Sequence, residues 1–308
     1  MFALMLTVKQ IVTIQILFGV GSKYVPMADA MRDGELFARL SACGAMVRES
    51  GRVVPLASRH VEEAERMADS LLHASEAQGV GILTRQGDAY PVRLEQTIDE
   101  KGLPALPYLL YYKGDISLLK RPCVSLIGTR YPTKEGVEAG VYLARAFAKE
   151  GFCVVSGLAS GCDASAHRGA LLAKGKTIAV LAHGLDRVYP AEHSAMAREI
   201  VEAGGLLLSE YPVGMQVCKY NFIARDRLVS ALSHAVIVLQ TGVDGGAMYV
   251  ANNALSLGKP LYSVYYKDES VRRSSVCEGN KRLVELGAQY LRGSDVPSVV
   301  EMLRKASV

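Results

Sequence analysis

Short apolar runs recur at a regular spacing through the second part of this 308-residue sequence. Most are separated by a mixed polar and apolar segment long enough for a helix, so the pattern predicts a series of strand–helix units. Each run is almost continuously apolar, as strands covered by helices on both faces require. We therefore predict an α/β fold with a doubly wound, mainly parallel sheet. The predicted strands are Cys123 to Ile127, Cys153 to Ser156, Thr177 to Ala182, Leu206 to Ser209, Ala235 to Gln240 and Leu261 to Val264.

The first part of the sequence has a different pattern. Ile11, Ile14 and Leu17 recur at helical spacing, which favours amphipathic helices, and no segment here predicts a strand. We therefore predict a small all-helical domain over residues 1–78 and a second domain over residues 79–308. The second domain begins with an irregular connector over residues 79–120, where Pro91 and Pro104 interrupt short apolar pieces.

The composition is that of an ordinary globular protein, with half of the residues apolar and 21% charged. A net charge of +4 does not identify a ligand, because a local groove can bind anions whatever the charge of the whole chain. The six cysteines form no CxxC pair, which favours buried thiols in a reducing compartment. The apolar stretch over residues 11–20 is too short for a membrane span and lacks a secretory leader pattern. We therefore expect a cytoplasmic protein.

Three predicted loops combine glycines with polar side chains directly after a strand. They are Gly128-Thr129-Arg130, the loop from Ser156-Gly157 to Asp163, and the loop from Thr241 to Ala247, which contains the glycine pair Gly245-Gly246. Loops at the carboxyl ends of parallel strands meet at one edge of the sheet, where helix N-termini present unpaired N–H groups to anions. Glycine lets the backbone approach a phosphate, and an arginine can donate to two of its oxygens. The pattern predicts a phosphate site, with plain strand-to-helix turns as the alternative.

A basic and aromatic segment precedes the fifth predicted strand. Arg225 and Arg227 flank Asp226, with Lys219 and Phe222 just before them. One hypothesis is a phosphate clamp in which Phe222 stacks on a base. The alternative is a surface ion network among the three charged residues.

These pieces lie within a longer stretch, from Tyr90 to about Leu291, that resembles the DprA/Smf family of DNA-processing proteins. The matching segments, in order, are Tyr90-Pro91 with Tyr111-Tyr112-Lys113-Gly114-Asp115, Gly128-Thr129-Arg130, Ser156 to Asp163 with Ala166-His167, Gly184-Leu185-Asp186 with Tyr189-Pro190, Ser209-Glu210-Tyr211-Pro212, Arg225-Asp226-Arg227 and Asn280-Lys281-Arg282-Leu283. The helical N-terminus is similar to the SAM or helix-hairpin-helix extension of many members.

The resemblance implies a Rossmann-like core that binds single-stranded DNA without strong sequence preference and has no enzyme activity, cofactor or metal. It also implies a homodimer that loads the recombinase RecA during natural transformation. By motif position Arg130, Arg225 and Arg227 contact phosphates, while Gly128, Thr129, Ser156 and Gly157 shape the pocket. Further predicted contacts are Gly245, Gly246, Arg168, Lys176 and Lys219, with Phe222 for base stacking and Leu283 and Leu286 at the dimer surface.

The chain departs from the family pattern at three places. Family members usually have Pro-Arg-Asn-Arg where this sequence has Ala224-Arg225-Asp226-Arg227, and Ser-Gly-Ser where it has Gly245-Gly246-Ala247. They tend to have Pro-Gly after the last strand, where this sequence has Tyr265-Tyr266-Lys267. Asp226 adds a negative charge beside the clamp, and the second change removes two hydroxyl donors. A changed ligand is therefore left open.

Two alternative functions use the same loops. The first is a nucleoside-monophosphate phosphoribohydrolase, with Gly245-Gly246 against the phosphate and Glu210 as a candidate carboxylate. The second is a sensor that binds a nucleotide derivative.

Several acidic and histidine residues are candidates for catalytic or metal-binding groups. Asp163 and His167 lie four residues apart, the spacing of one helix face, but a helix N-cap and a locally bonded histidine are the favoured interpretation. His183 with Asp186, and Glu192 with His193, match no metal-binding pattern.

Overall fold

The computed structural model describes residues 6–31, 35–99 and 101–306, and within them nine strands form one sheet in the order β11-β10-β9-β5-β6-β7-β8-β4-β3. The first seven strands in this order, from β11 through β5 to β8, are mutually parallel. Strand β4 is antiparallel to both of its neighbours. The strands are β1 (Met46–Glu49), β2 (Arg52–Pro55), β3 (Gly81–Thr84), β4 (Leu109–Gly114), β5 (Cys123–Ile127), β6 (Cys153–Ser156), β7 (Thr177–Leu181), β8 (Leu206–Ser209), β9 (Ala235–Val238), β10 (Leu261–Val264) and β11 (Gln289–Leu291).

The prediction of a doubly wound, mainly parallel α/β fold is confirmed. All six predicted apolar runs form strands, and two of them end earlier than predicted, at Leu181 and Val238. The helices are α1 (Val8–Phe18), α2 (Tyr24–Ala30), α3 (Leu36–Ala42), α4 (Ser58–Ala77), α5 (Lys134–Lys149), α6 (Cys162–Leu172), α7 (Ser194–Glu202), α8 (Lys219–Leu232), α9 (Ala247–Ser256), α10 (Glu269–Arg272), α11 (Glu278–Glu285) and α12 (Val296–Ala306).

Helices cover both faces of the sheet. On one face α8 and α9 bury Leu228 and Val250, and on the other α5, α6 and α12 bury Phe147, Ala170 and Val300. The strands between these layers are buried along their whole length, which explains their nearly continuous apolar sequence. None of the helices in the described ranges is long and apolar enough to cross a membrane.

The topology fixes where a ligand can bind. The chain adds β6, β7 and β8 on one side of β5 and then returns to add β9, β10 and β11 on the other side. In open parallel sheets, the crevice at such a reversal, outside the carboxyl ends of the strands, is the usual ligand site. Here that crevice lies between the loops that follow β5 and β9.

The N-terminal part is helical, as predicted, but it also contains the hairpin β1-β2, so the expectation that it has no strand was wrong. Ser50 and Gly51 both adopt positive φ angles, 48° and 79°, which suit a tight two-residue hairpin turn. One buried apolar cluster joins Ile14 and Leu40 of this part to Leu207 on the sheet.

The predicted connector over residues 79–120 is more regular than expected. It supplies β3 and β4, the two strands at one edge of the sheet. Strand β4 pairs with β8 through Tyr111 opposite Ser209 and Tyr112 opposite Leu208. The prolines that indicated an irregular segment lie between the two strands and interrupt neither.

Candidate nucleic-acid interface

A cleft of about 760 Å³ opens at the carboxyl ends of β5, β6 and β9, where the strand order reverses. Its walls are the loops after β5 and β6, the segment before α9 and one side of α8. The structure therefore brings many of the predicted site residues together on one surface. Those that line the cleft are Gly128, Thr129, Arg130, Gly157, Lys219, Phe222, Arg225, Gly245 and Gly246.

Two glycines are required by close packing at the base of the cleft. A Cβ at Gly128 would lie 2.5 Å from Cys162 Sγ, and one at Gly157 would collide with the Arg225 guanidinium. The Thr129 amide donates to Gln240 O at 2.7 Å, which ties the loop after β5 to the residues after β9. Backbone therefore forms the floor where side chains would block a ligand.

Arg225 lies at the inner end of the cleft and is held in place by its neighbours. Its side chain is 6% exposed, and Nη1 donates to Val180 O at 2.6 Å. Its Nε lies 3.1 Å from Asp226 Oδ1, an ion-pair contact whose angle does not make it a hydrogen bond. The result is a fixed guanidinium beside the Gly157 backbone.

Arg130 stands at the exposed side of the same cleft. Its guanidinium lies 5.3 Å from the centre of the Phe222 ring, and Phe222 in turn contacts the Tyr189 ring at 5.8 Å. Across the part of the chain that the structure describes, neither Arg130 nor Lys219 has a carboxylate within 4 Å, and both are exposed. The cleft thus offers two solvent-facing cations and an aromatic platform.

Two carboxylates in the cleft are held where their negative charge is disfavoured. Asp226 is 16% exposed, and burial raises its pKa to about 7 although Arg225 opposes that rise. Burial also raises the pKa of Asp163, whose carboxylate accepts from the amides of Gly157 (3.1 Å) and Ala159 (3.3 Å). Loss of either charge makes the cleft more positive.

Comparison with known proteins agrees with this geometry. The family model for DNA recombination-mediator protein A matches residues 81–303, well over half of the chain. The chain belongs to this family. It is 34% identical to the DNA processing protein DprA of Bacillus subtilis over 195 residues, which are 63% of either chain, and 33% identical to that of Streptococcus pneumoniae over 210 residues.

A third relative is protein Smf of Synechocystis, 41% identical over 166 residues that are 53% of this chain and 42% of the relative. The chain therefore spans between 42% and 70% of the length of these three relatives.

Two solved structures are also similar. DprA of Streptococcus pneumoniae superposes with a TM-score of 0.75 at 26% identity and covers 96% of this chain and 98% of that one. DNA processing protein A of Helicobacter pylori, whose structure is described for its single-stranded DNA binding mode, has a TM-score of 0.61 at 33% identity over 74% of this chain and 96% of that one.

Not every predicted contact lines the cleft of this family member. Ser156 is buried and donates to Leu126 O at 2.7 Å, so its hydroxyl supports the sheet. Arg168 pairs with Glu199 at 3.2 Å, and Lys176 Nζ donates to Ala203 O at 2.8 Å. Neither basic side chain belongs to the cleft wall.

The three predicted arginines do not converge, because Arg227 points to the opposite side of α8 from Arg225. It lies 2.5 Å from Glu210 and donates to Ala105 O at 3.0 Å and to Ala224 O. Both partners are almost fully buried, with 10% and 3% of their side chains exposed. Residues two apart on a helix are about 200° apart around its axis, which accounts for the separation.

The same ion pair bears on the phosphoribohydrolase alternative. Glu210 lines a neighbouring cleft and not the one that contains Gly245 and Gly246. The carboxylate and the glycine loop that such a reaction would combine therefore face different spaces.

The candidate acid–base pair is also structural. His167 is fully buried, its Nδ1 lies 2.7 Å from Thr177 Oγ1, and burial lowers its pKa to about 3. Asp163 is not the N-cap that was predicted, because α6 already begins at Cys162 after Gly161. The described residues contain no group of three or more His, Cys, Asp or Glu placed to hold a metal ion.

Three tyrosines that line the cleft had not been predicted as site residues, namely Tyr131, Tyr189 and Tyr249. Tyr131, 83% exposed, follows Arg130, and Tyr189 stacks near Phe222. Tyr131 could have been found from its position beside a predicted phosphate-binding arginine. Tyr189 reaches the cleft from a loop after β7, a placement that depends on the tertiary fold.

Proposed function

We propose that the cleft binds single-stranded DNA through its phosphates and stacks one base on the Arg130–Phe222 pair, without catalysing a reaction. The observation that carries the proposal is an exposed arginine, without an ion-pair partner among the described residues, over an aromatic ring at the mouth of an amide-lined cleft. Stacking on an aromatic ring tolerates any base, and phosphate contacts carry no sequence information. Binding is therefore expected to be general in sequence.

The family supports the same choice. The similar Helicobacter pylori protein is described by its single-stranded DNA binding mode, and the Bacillus and Streptococcus relatives are called DNA processing proteins. Loading of RecA and homodimer formation remain predictions from the family resemblance, and cytoplasmic location remains a prediction from the cysteine pattern and the short apolar stretch over residues 11–20. Of the two dimer candidates, Leu283 is a buried core residue and Leu286 is 42% exposed, so Leu286 is the better placed.

A nucleotide-derivative sensor is the competing function, and calorimetry separates the two. Wild-type protein is titrated with a single-stranded oligonucleotide of about 16 nucleotides and, in parallel, with mononucleotides, at several salt concentrations. The proposal predicts tight oligonucleotide binding that weakens with salt. The logarithm of the association constant should fall linearly with the logarithm of the salt concentration, with a slope of about 0.7 for each phosphate neutralised. Tight, salt-insensitive mononucleotide binding without oligonucleotide binding would establish the sensor instead.

A further inference from the structure

A second cleft, of about 630 Å³, lies beside the first on the other side of α8. Ile223, Asp226 and Tyr249 line both clefts, so they form the ridge between them. The remaining walls come from the segment before β4, the loop after β8, α9 and the turn between α1 and α2. We call this second cleft the Asn221 pocket. A strand that occupies the first cleft passes directly beside it.

Two polar side chains in the wall of the Asn221 pocket are buried without a partner. Asn221 is 7% exposed and Tyr211 is 6% exposed. Among the described residues, neither the Asn221 amide group nor the Tyr211 hydroxyl makes a hydrogen bond. Burial raises the pKa of Tyr211, so its hydroxyl stays protonated and can donate. A buried polar group without a partner costs free energy, which points to a partner that the pocket admits.

The neighbouring Asn253 shows the contrast within the same wall. Its Oδ1 accepts from Ser230 Oγ at 2.7 Å, and its Nδ2 donates to Ile98 O at 3.1 Å. Asn253 therefore ties α9 to α8 and to the segment before β4, and its hydrogen-bonding groups are used within the protein. Asn221 has no such structural task.

The charged groups in the wall of the pocket are already matched. Arg227 and Glu210 pair with each other, and Asp99 accepts from the amides of Lys101 (2.8 Å) and Leu103 (2.9 Å). Of the two basic residues in the described wall, Arg227 is thus paired and Lys101 is exposed. The buried groups that remain unsatisfied are neutral, so the pocket suits an uncharged polar ligand better than a phosphate.

Two tyrosines stand at the open side of the pocket. Tyr220 is 69% exposed and Tyr249 is 46% exposed, and the exposed Asn252 follows on α9. Exposed aromatic rings offer faces on which a nucleobase can stack. Flat apolar faces at the rim, with a few neutral donors and acceptors inside, are the chemistry that an unstacked base requires.

The amide of Asn221 is compatible with any of the four bases. It presents a donor beside an acceptor. The Watson–Crick edge of each base also has a donor beside an acceptor, in one order for adenine and cytosine and in the reverse order for guanine and thymine. A half-turn of the amide exchanges its two groups. Binding in this pocket therefore remains general in sequence.

We propose that the Asn221 pocket takes one unstacked base of the bound single strand while the phosphates of that strand stay in the first cleft. The inference rests on the proposed function of the cleft. The base stacks at Tyr220 or Tyr249 and turns its polar edge toward Asn221 and Tyr211. Bases and phosphates are thus divided between two adjacent clefts, because the neutral groups line one and the exposed cations line the other.

The test separates contacts to bases from contacts to phosphates. Fluorescence anisotropy compares the four homo-oligonucleotides of about 16 nucleotides with an abasic oligomer of the same length, which keeps the phosphates and lacks the bases. The variants are Asn221→Ala and Tyr211→Phe. The control is Tyr112→Phe, which removes a tyrosine hydroxyl from β4, outside both clefts. Circular dichroism checks folding, and Tyr211→Phe, which removes a single oxygen atom, keeps the test decisive if Asn221→Ala does not fold.

Each variant is expected to bind the homo-oligonucleotides about two- to tenfold more weakly, the effect of one lost hydrogen bond. The salt slope should not change, because no charge is removed. Both variants should bind the abasic oligomer as the wild type does, and Tyr112→Phe should match the wild type throughout.

Wild-type affinity of both variants for the homo-oligonucleotides would overturn the base pocket and leave the cleft proposal standing. An equal loss of affinity for the abasic oligomer would also overturn it, because the substitutions would then act through the fold and not through a base. A wild-type protein that binds none of the oligomers would overturn the cleft proposal as well.

Discussion

Arg225 Nε lies 3.1 Å from Asp226 Oδ1, so an arginine and a carboxylate that are adjacent on α8 share the wall of the proposed DNA cleft. The charge of this pair depends on pH, because burial raises the pKa of Asp226 to about 7. The other charged groups that act on Asp226 are Asp163, on α6, which raises its pKa, and Arg130, after β5, which lowers it. At neutral pH the cleft is therefore close to the midpoint of a change in charge.

Binding of single-stranded DNA is expected to strengthen as the pH falls from about 8 to about 6. A phosphate favours the protonated, neutral form of Asp226, so binding takes up a proton. Asp226→Asn should bind at pH 8 at least several-fold more tightly than wild type and lose most of the pH dependence. Asp244→Asn, which removes another cleft carboxylate that is exposed, is the control and should keep the pH dependence. Fluorescence anisotropy titrations at each pH measure the DNA affinity of the three proteins. A wild-type affinity that does not change with pH would contradict the prediction.

The stability of the fold should also depend on the protonation of Asp226. The pKa of Asp226 in the folded state lies above its ordinary value of 3.8, so folding favours the protonated form. The resulting stability is present in full below about pH 4 and is lost as the pH rises through about 7. Asp226→Asn should therefore raise the melting temperature more at pH 8 than at pH 5. An equal change at both would show that the carboxylate is solvated.

Gly157→Ala should weaken DNA binding without unfolding the protein. The new methyl group would overlap the Arg225 guanidinium, which would have to shift and give up its hydrogen bond to Val180 O. The fixed charge at the inner end of the cleft would then be displaced, with an expected loss of about 1.5–3 kcal/mol, the range for a hydrogen bond to a charged group. Gly242→Ala, where the nearest atom would be an ordinary 3.4 Å away, is the matched control. Wild-type affinity in Gly157→Ala would remove Arg225 from the site.

Glu210→Gln should destabilise the fold and leave the DNA affinity of the folded protein unchanged. The substitution leaves the Arg227 charge buried without its partner, a change that typically costs about 3–5 kcal/mol. Chemical denaturation measures the loss of stability. Binding is compared without denaturant, at a temperature at which both proteins are folded. A stable variant with lost binding would instead place Arg227 in contact with the ligand.

The sequence predicted the sheet well because a strand buried on both faces is almost continuously apolar. It predicted the hairpin β1-β2, the edge strand β3 and its neighbour β4 poorly. Edge and exposed strands need only partial burial, so prolines nearby and mixed polarity obscure them. The turn at Ser50-Gly51 was the available signal for the hairpin.

The loops of the cleft were predictable because strand order and glycine positions are local features. The environment of each charge was not. Arg227 pairs with Glu210, and Asp226 is desolvated, only in the packed tertiary structure. Contacts of that kind depend on residues far apart in the sequence.

The central claim, that this cleft holds a phosphodiester chain, is tested most directly at Arg130. Arg130→Gln and the control Arg168→Gln, whose arginine pairs with Glu199 outside the cleft, are compared in salt-titrated anisotropy with single-stranded DNA. We predict that Arg130→Gln binds at least about tenfold more weakly with a salt slope reduced by about 0.7, while the control matches wild type. Wild-type affinity and slope in Arg130→Gln would contradict the account.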